Sequence, residues 1–285
     1  MNSRVSPLST VRKSSRLAVF ASKCVFSVLG NTLGPRRVFD WIFPSPPNLN
    51  YYDSRKYPGV EGKVAVTIDD AFCRSDDPDD SFIEKVTTIC AKHEHKITFF
   101  LTSNFCKTEW KKDAIRKVVA QGHELANHAV EDTTYSKYSF ENFAKVVDET
   151  NDLIAELQSH KVGETLSSTN STVSSSRENR NFTRWFRAPN GKQTRIMTEV
   201  LRSRSMTNVM GDCYANDWFI DDPAWCARTI TRSIRSGSIV ILHMPEKGFR
   251  EWTLEELRLV LQELNIKGFK SVTLSELHIA SERKD

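Results

Sequence analysis

The chain has 285 residues, 39% hydrophobic and 27% charged, which fits a globular protein long enough to bury one large core. Its net charge of +4 is local: residues 1–39 carry seven bases (Arg4, Arg12, Lys13, Arg16, Lys23, Arg36, Arg37) and no acid, leaving 33 basic against 36 acidic residues elsewhere. The balance therefore gives no ground for nucleic-acid binding, and six cysteines without a C-x-x-C pair spell neither a zinc ribbon nor a disulfide framework.

The leader, "MNSRVSPLSTVRKSSRLAVFASKCVFSVLG", is rich in Ser and Arg, with an apolar stretch from Leu17 to Leu29 that Lys23 interrupts. It is too short and too broken for a membrane-spanning helix, which needs about 20 mainly apolar residues. It reads as a targeting segment, for secretion or the endomembrane system, with an organellar transit peptide as the alternative. A peripheral arm is the plainer reading. Residues 1–60 are taken as leader and Pro-rich approach, and residues 61–285 as one domain.

Strand-like runs then alternate with helical ones. Strands are expected at Val64–Ile68, Lys96–Leu101, Glu124–Asn127, Trp185–Arg187, Thr207–Met210, Ser238–His243 and Phe269–Val272. Several are continuous apolar runs, as suits strands covered on both faces. Helices are expected at Asp80–Lys92, Lys111–Gln121, Phe140–Gln158, Lys192–Arg202, Pro223–Arg235 and Thr253–Asn265, the first started by the acids and proline of "SDDPDD". About seven β/α repeats predict an α/β fold with a parallel sheet, closed or nearly closed into a distorted barrel. An open doubly wound sheet is the alternative. Residues 167–181, "SSTNSTVSSSRENRN", have no apolar period and read as a flexible insertion, placed at about 160–182. The sequons at Asn170 and Asn181 occur at near the chance rate for this composition.

In such a barrel, chemistry gathers at the C-terminal ends of the strands. Those ends carry Asp69 and Asp70, His128, Arg187, Asp217 with Trp218, and His243, from segments far apart in sequence. His128 and Asp132 are four apart, so on a helical turn they share a face, and Asp70 is a natural third ligand to one metal ion. Three protein ligands and an open position make a catalytic zinc site, where the pKa of a water falls from roughly 15.7 toward about 7. Neighbours on an extended chain point to different sides, which favours separate tasks for Asp70 on the metal and Asp69 as general base. Arg187 would orient Asp69. His243 would be the general acid for a leaving amine, paired with Asp217. The backbone N–H of Asn190 would serve an oxyanion, and Trp218 a glycan. Cys73 and Cys213 are expected to pack rather than ligate, and His93 and His95 to be solvated at a helix end.

"TIDD", "NHAVED", "FRAPNG", "NDW" and "ILH" together resemble the five ordered motifs of the NodB-homology polysaccharide deacetylases, carbohydrate esterase family 4. The resemblance spans about 63–275 and includes the closing "GFKSVTLSEL". It implies a distorted (β/α) barrel, a divalent metal (usually zinc, with Mn²⁺ or Co²⁺ possible), and hydrolysis of an N-acetyl group from an amino sugar such as that of chitin. It matches Asp69 to the base, Asp70 and His128 to metal ligands, and His243 to the acid. The chain departs from the pattern where Asp132 replaces a second histidine, which hardens the ligand set. Tyr214 stands where an aspartate is usual, Asn190 replaces an aromatic, and Met244 follows His243 where an aspartate is usual. Two other readings stay open: a hydrolase of a small non-sugar amide with the same machinery, and a catalytically inactive carbohydrate-binding protein.

Overall fold

Strand β2 (Lys63–Ala71) is the centre of the sheet, with β3 (Ile97–Leu101) on one side and β7 (Ile239–His243) on the other, all parallel. The computed structural model describes residues 16–33, 35–42, 44, 47–159 and 183–283. Within them the strand order is β1 (Asn48–Leu49), β6 (Thr207–Val209), β5 (Trp185–Phe186), β4 (Glu124–Asn127), β3, β2, β7, with β8 (Lys270–Ser271) beside the start of β2. The segment that follows β6 meets β7 irregularly: the N–H of Asp212 donates to the carbonyl of Ile239 (3.0 Å), and that of Ile241 to the carbonyl of Cys213 (2.9 Å). Gly211 permits the crossing, because its φ is +86° and a Cβ there would lie 2.8 Å from the Ile239 oxygen. The fold is thus α/β, a distorted parallel barrel as expected from the β/α alternation, and the open doubly wound sheet is excluded.

Alternation along β2 sets the two cores. Val64, Val66 and Ile68 face outward and pack with Val86 and Cys90 of α3 (Ile83–Lys92), Ile115 of α4 (Glu109–Ala120) and Leu257 and Leu261 of α8 (Trp252–Ile266). Ala65 faces inward with Phe100, Ala126, Trp185, Val209 and Ile239, small residues against large ones. Thr67 and Asp69 continue that inward row. The lower end is closed by Leu274 and Leu277 of α9 (Leu274–Glu282), whose Thr273–Glu276 capping box fixes its start.

The remaining helices are α5 (Phe140–Ser159), α6 (Arg195–Ser203) and α7 (Pro223–Ser233). Helix α3 starts at Ile83 rather than Asp80. "SDDPDD" instead makes a single 3₁₀ turn over Pro78–Asp80, with the Asp77 side chain accepting from the N–H of Asp79, because Ser81 is drawn into an antiparallel bridge with Glu246. The leader contributes α1 (Arg16–Leu33) and α2 (Pro35–Ile42), and the approach contributes β1. Lys23 pairs with Asp222 (2.7 Å) and Arg36 with the buried Asp212 (2.8 Å). Among the described residues no helix is long and apolar enough to cross a membrane. The expected insertion at about 160–182, with Asn170 and Asn181, lies outside the described residues.

His95 is a correction to the sequence reading. It is buried rather than solvated: Nδ1 accepts from the N–H of Ser271 (3.1 Å), and Nε2 faces the Leu261 carbonyl (3.3 Å). His123 likewise accepts from the N–H of Ile97 (3.2 Å). Burial pushes both imidazoles down to about 4. The unfolded chain therefore binds more protons than the folded one below an ordinary histidine pKa of about 6.5. Stability is expected to be full above that pH and to fall as pH drops from about 6.5 to about 4, by at most about 3 kcal/mol for each histidine at roughly 1.4 kcal/mol per pH unit. Denaturant titrations across this window check it. His95→Gln and His123→Gln should each flatten the fall, and an unchanged profile in both would contradict the assignment.

Candidate active site

The mouth of the barrel holds a cavity of about 420 Å³ lined by Asp69, Asp70, His128, Asp132, Arg187, Asn190, Tyr214, Trp218, His243 and Arg250, among others. All nine residues singled out from the sequence line it or stand directly behind it. Asp217 is the one behind, fully buried.

Asp69 faces in by strand alternation. Arg187 Nη1 donates to its Oδ1 at 2.6 Å and to Thr67 Oγ1 at 2.8 Å, while Nε donates to the Val209 carbonyl at 2.8 Å. The guanidinium lies 4.1 Å over the Phe100 ring and is 2% exposed, so the ion pair is almost wholly out of water. Arg187 Nη2 has no partner among the described residues.

Asp70 does not point to the other side of the sheet, as plain alternation predicts. The register of β2 slips between Ile68 and Ala71, and Asp70 has φ 56°. This bulge brings both carboxylates to one cavity. Ala129, Asn190, Asn216 and Arg250 also have positive φ. Each is a site residue or its immediate neighbour, so costly backbone is concentrated at the mouth.

His128 Nδ1 lies 2.9 Å from the Arg187 carbonyl, so Nδ1 carries the proton and donates. Nε2 then faces Asp70 Oδ1 at 3.4 Å. In a neutral imidazole that is a lone pair opposite a carboxylate, and it needs a proton or a cation between them. Without a cation, burial opposes charging His128, but the carboxylates of Asp69, Asp70 and Asp132 outweigh it and raise its pKa. Burial likewise opposes a charged Asp70, but the His128 hydrogen bond and the Arg250 charge hold its carboxyl well below the usual range.

Asp132 reaches the cavity from a loop, not from the helical turn its spacing suggested. Arg74, which the sequence reading missed, separates it from Asp70: its Nη2 lies 3.3 Å from Asp70 Oδ2 and 3.3 Å from Asp132 Oδ2. Arg250, also missed, donates from Nη1 to Asp70 Oδ2 at 2.6 Å. Both arginines sit on irregular loops, where no periodicity marks them. The one sequence signal was that Arg74 follows Asp70 by four residues.

Across the cavity, His243 Nδ1 donates to Asp217 Oδ1 at 2.7 Å, and the N–H of His243 donates to Oδ2 at 2.8 Å. Trp252 Nε1, at the start of α8, holds the Asp217 carbonyl at 2.8 Å. The imidazole is fixed with Nε2 as its remaining polar atom. Tyr214 Oη and Trp218 Nε1 both donate to Asn216 Oδ1, at 2.9 and 2.6 Å. Trp218 is 48% exposed at the rim. Asp212 takes no part in the mouth, being clamped between Arg36, Ser238 and the N–H of Ile239. Cys73 donates to Glu246, Cys213 is buried, and neither approaches as a ligand.

Among the described residues no three His, Cys, Asp or Glu side chains are grouped to hold a metal ion. A two-ligand edge is nevertheless present. Two zinc ligands at about 2.0–2.2 Å in tetrahedral array lie about 3.4 Å apart, the separation of His128 Nε2 and Asp70 Oδ1. The Nδ1–H bond to a carbonyl is the second contact a metal-binding histidine needs. Asp70 and His128 therefore suit a divalent ion. Asp132 stands by as a third donor whose Oδ2 Arg74 engages.

Fold and site together define a barrel of parallel strands bearing a carboxylate–imidazole centre at its C-terminal mouth. The family model for polysaccharide deacetylase matches residues 56–209, and the chain belongs to that family. It is 23% identical over 162 residues to the uncharacterised protein YlxY of Bacillus subtilis (strain 168), covering 57% of this chain and 44% of that one. The chain spans less than two thirds of the length of the curated relatives it matches. The fold is shared with a peptidoglycan N-acetylglucosamine deacetylase (TM-score 0.64, 18% identity, 84% of this chain and 95% of that one). It is also shared with a pseudoenzyme of carbohydrate esterase family 4 from Bacillus anthracis (TM-score 0.62, 21% identity, 82% and 69%).

Proposed function

We propose that the protein is a metal-dependent hydrolase that removes N-acetyl groups from an amino-sugar glycan of the chitin or chitooligosaccharide type. The observation that carries this is the pairing of two opposed, buried proton-handling units across one cavity: Asp69 on Arg187 at 2.6 Å, and His243 on Asp217 at 2.7 Å. Family membership supports a hydrolase reading, and the family generally works with a divalent metal. Zinc is expected here, with Mn²⁺ or Co²⁺ as alternatives given the carboxylate at Asp132.

Asp70, His128 and Asp132 would hold the ion, which when bound supplies Lewis acidity at the amide carbonyl. Asp69, kept in place by Arg187, takes a proton from the attacking water. His243, held by Asp217, gives a proton to the departing amine. The backbone N–H of Asn190 supports the oxyanion, and Trp218 offers a face to a sugar ring. A second concavity of about 880 Å³, lined by Asn48, Lys192, Gln193, Arg195 and Arg202, shares Gly191 with the first and favours a chain of sugars over a small amide. The leader is proposed to direct the protein to secretion or the endomembrane system.

A second reading is an inactive glycan-binding protein. The two guanidinium groups on Asp70 favour it. Acetate release from chitooligosaccharides, peptidoglycan and a small N-acetyl amide, with and without added Zn²⁺, separates the two. Metal-dependent acetate from a glycan is expected. Glycan binding without acetate from any substrate would leave the second reading.

A further inference from the structure

We propose that Arg74 is a tethered cation that competes with the metal for Asp132, so that its grip on that carboxylate sets the site's affinity for a divalent ion. This rests on the metal-dependent reading above. Arg74 Nη2 lies 3.3 Å from one oxygen each of Asp70 and Asp132, bridging two carboxylates as a shared cation would. Among the described residues it is the sole hydrogen-bond partner of the Asp132 side chain.

The arginine is built in rather than incidental. Glu246, 3% exposed, accepts from Arg74 Nη1 at 2.9 Å and from its backbone N–H at 2.7 Å. The guanidinium lies 4.8 Å from the Phe105 ring and 4.2 Å from the Phe249 ring. Asp132 is the more accessible half of the pair: it sits on a loop, its side chain 31% exposed against 20% for Arg74. A carboxylate at that position carries a charge that a neutral imidazole would not. Arg74, Arg187 and Arg250 are set against Asp69, Asp70, Asp132 and Glu246, so much of the negative charge that a divalent ion would neutralise is already met. A divalent ion that takes Asp132 as a third ligand would therefore share that carboxylate with Arg74; otherwise it binds with the Asp70–His128 edge alone.

The test measures Zn²⁺ and Mn²⁺ dissociation constants by chelator competition on the full chain, for the wild type, Arg74→Gln, Asp132→Asn and the double variant. Arg74→Gln should tighten binding at least tenfold. Asp132→Asn should loosen it at least tenfold in the Arg74→Gln background, and by much less in the wild type. Weaker or unchanged binding in Arg74→Gln would make Arg74 a positioning group and overturn the proposal. Should Arg74→Gln fail to fold by circular dichroism, Arg74→Lys, which keeps the charge but cannot reach both Glu246 and Asp132, should show a smaller gain in the same direction. No divalent binding by any variant would instead overturn the metal-dependent reading itself, and this proposal with it.

Discussion

Asp69→Asn will lower the rate of acetate release by about 10²–10⁴-fold, the usual contribution of a positioned general base. Asn keeps an oxygen to accept from Arg187 and stays close to Asp in volume, so the barrel mouth should stand. The loss should appear in kcat with KM little changed, because the group acts only as the water's proton moves. Asp70 and His128 would remain free to bind metal, so metal content should match the wild type. Activity within threefold of the wild type would remove Asp69 from the chemistry. Metal content lost along with activity would place its role in holding the ion.

Arg187→Met will destabilise the protein by about 3–5 kcal/mol, the cost of removing one partner of a buried ion pair. The pair is 2.6 Å long and both side chains are under a tenth exposed. Asp69 would be left uncompensated in the barrel interior, and the Thr67 hydroxyl and Val209 carbonyl would each lose a donor. At about 2–4 °C per kcal/mol for a chain of this size, the melting temperature should fall by roughly 10 °C. In an Asp69→Asn background the same change should cost markedly less, since the stranded charge is gone. A fall below about 1 kcal/mol in the single variant would show that the pair is not desolvated as its burial implies.

Strand positions were legible from sequence because β2, β3 and β7 are buried on both faces and read as unbroken apolar runs. The inward aim of Asp69 follows from counting by two along β2 from Ala65. What lay beyond reach is non-periodic. Nothing in "TIDDAF" announces that Asp70 adopts φ 56° and turns to the same side as its neighbour. The spacing of His128 and Asp132 mimics a helical turn, yet Ala129 has φ 67° and the segment is a loop.

The arginines show the same limit from another side. Arg74 and Arg250 come from loops after β2 and β7: Arg74 lies four residues on from Asp70, and the pairing of β7 beside β2 brings Arg250 to it. The motifs located the carboxylates, the imidazoles and Arg187, but not the two guanidinium groups that hold Asp70. His95 was misread for the opposite reason: "KHEHK" is polar by composition, while the carbonyl of Leu261 on α8 and the N–H of Ser271 on β8 close over that one ring.

Anomalous diffraction at the zinc edge from Zn²⁺-soaked crystals tests the central claim most directly. A single peak about 2 Å from both His128 Nε2 and Asp70 Oδ1 is the predicted result. Full zinc occupancy elsewhere on the protein, with none between those two atoms and Arg74 still bridging Asp70 to Asp132, would contradict it.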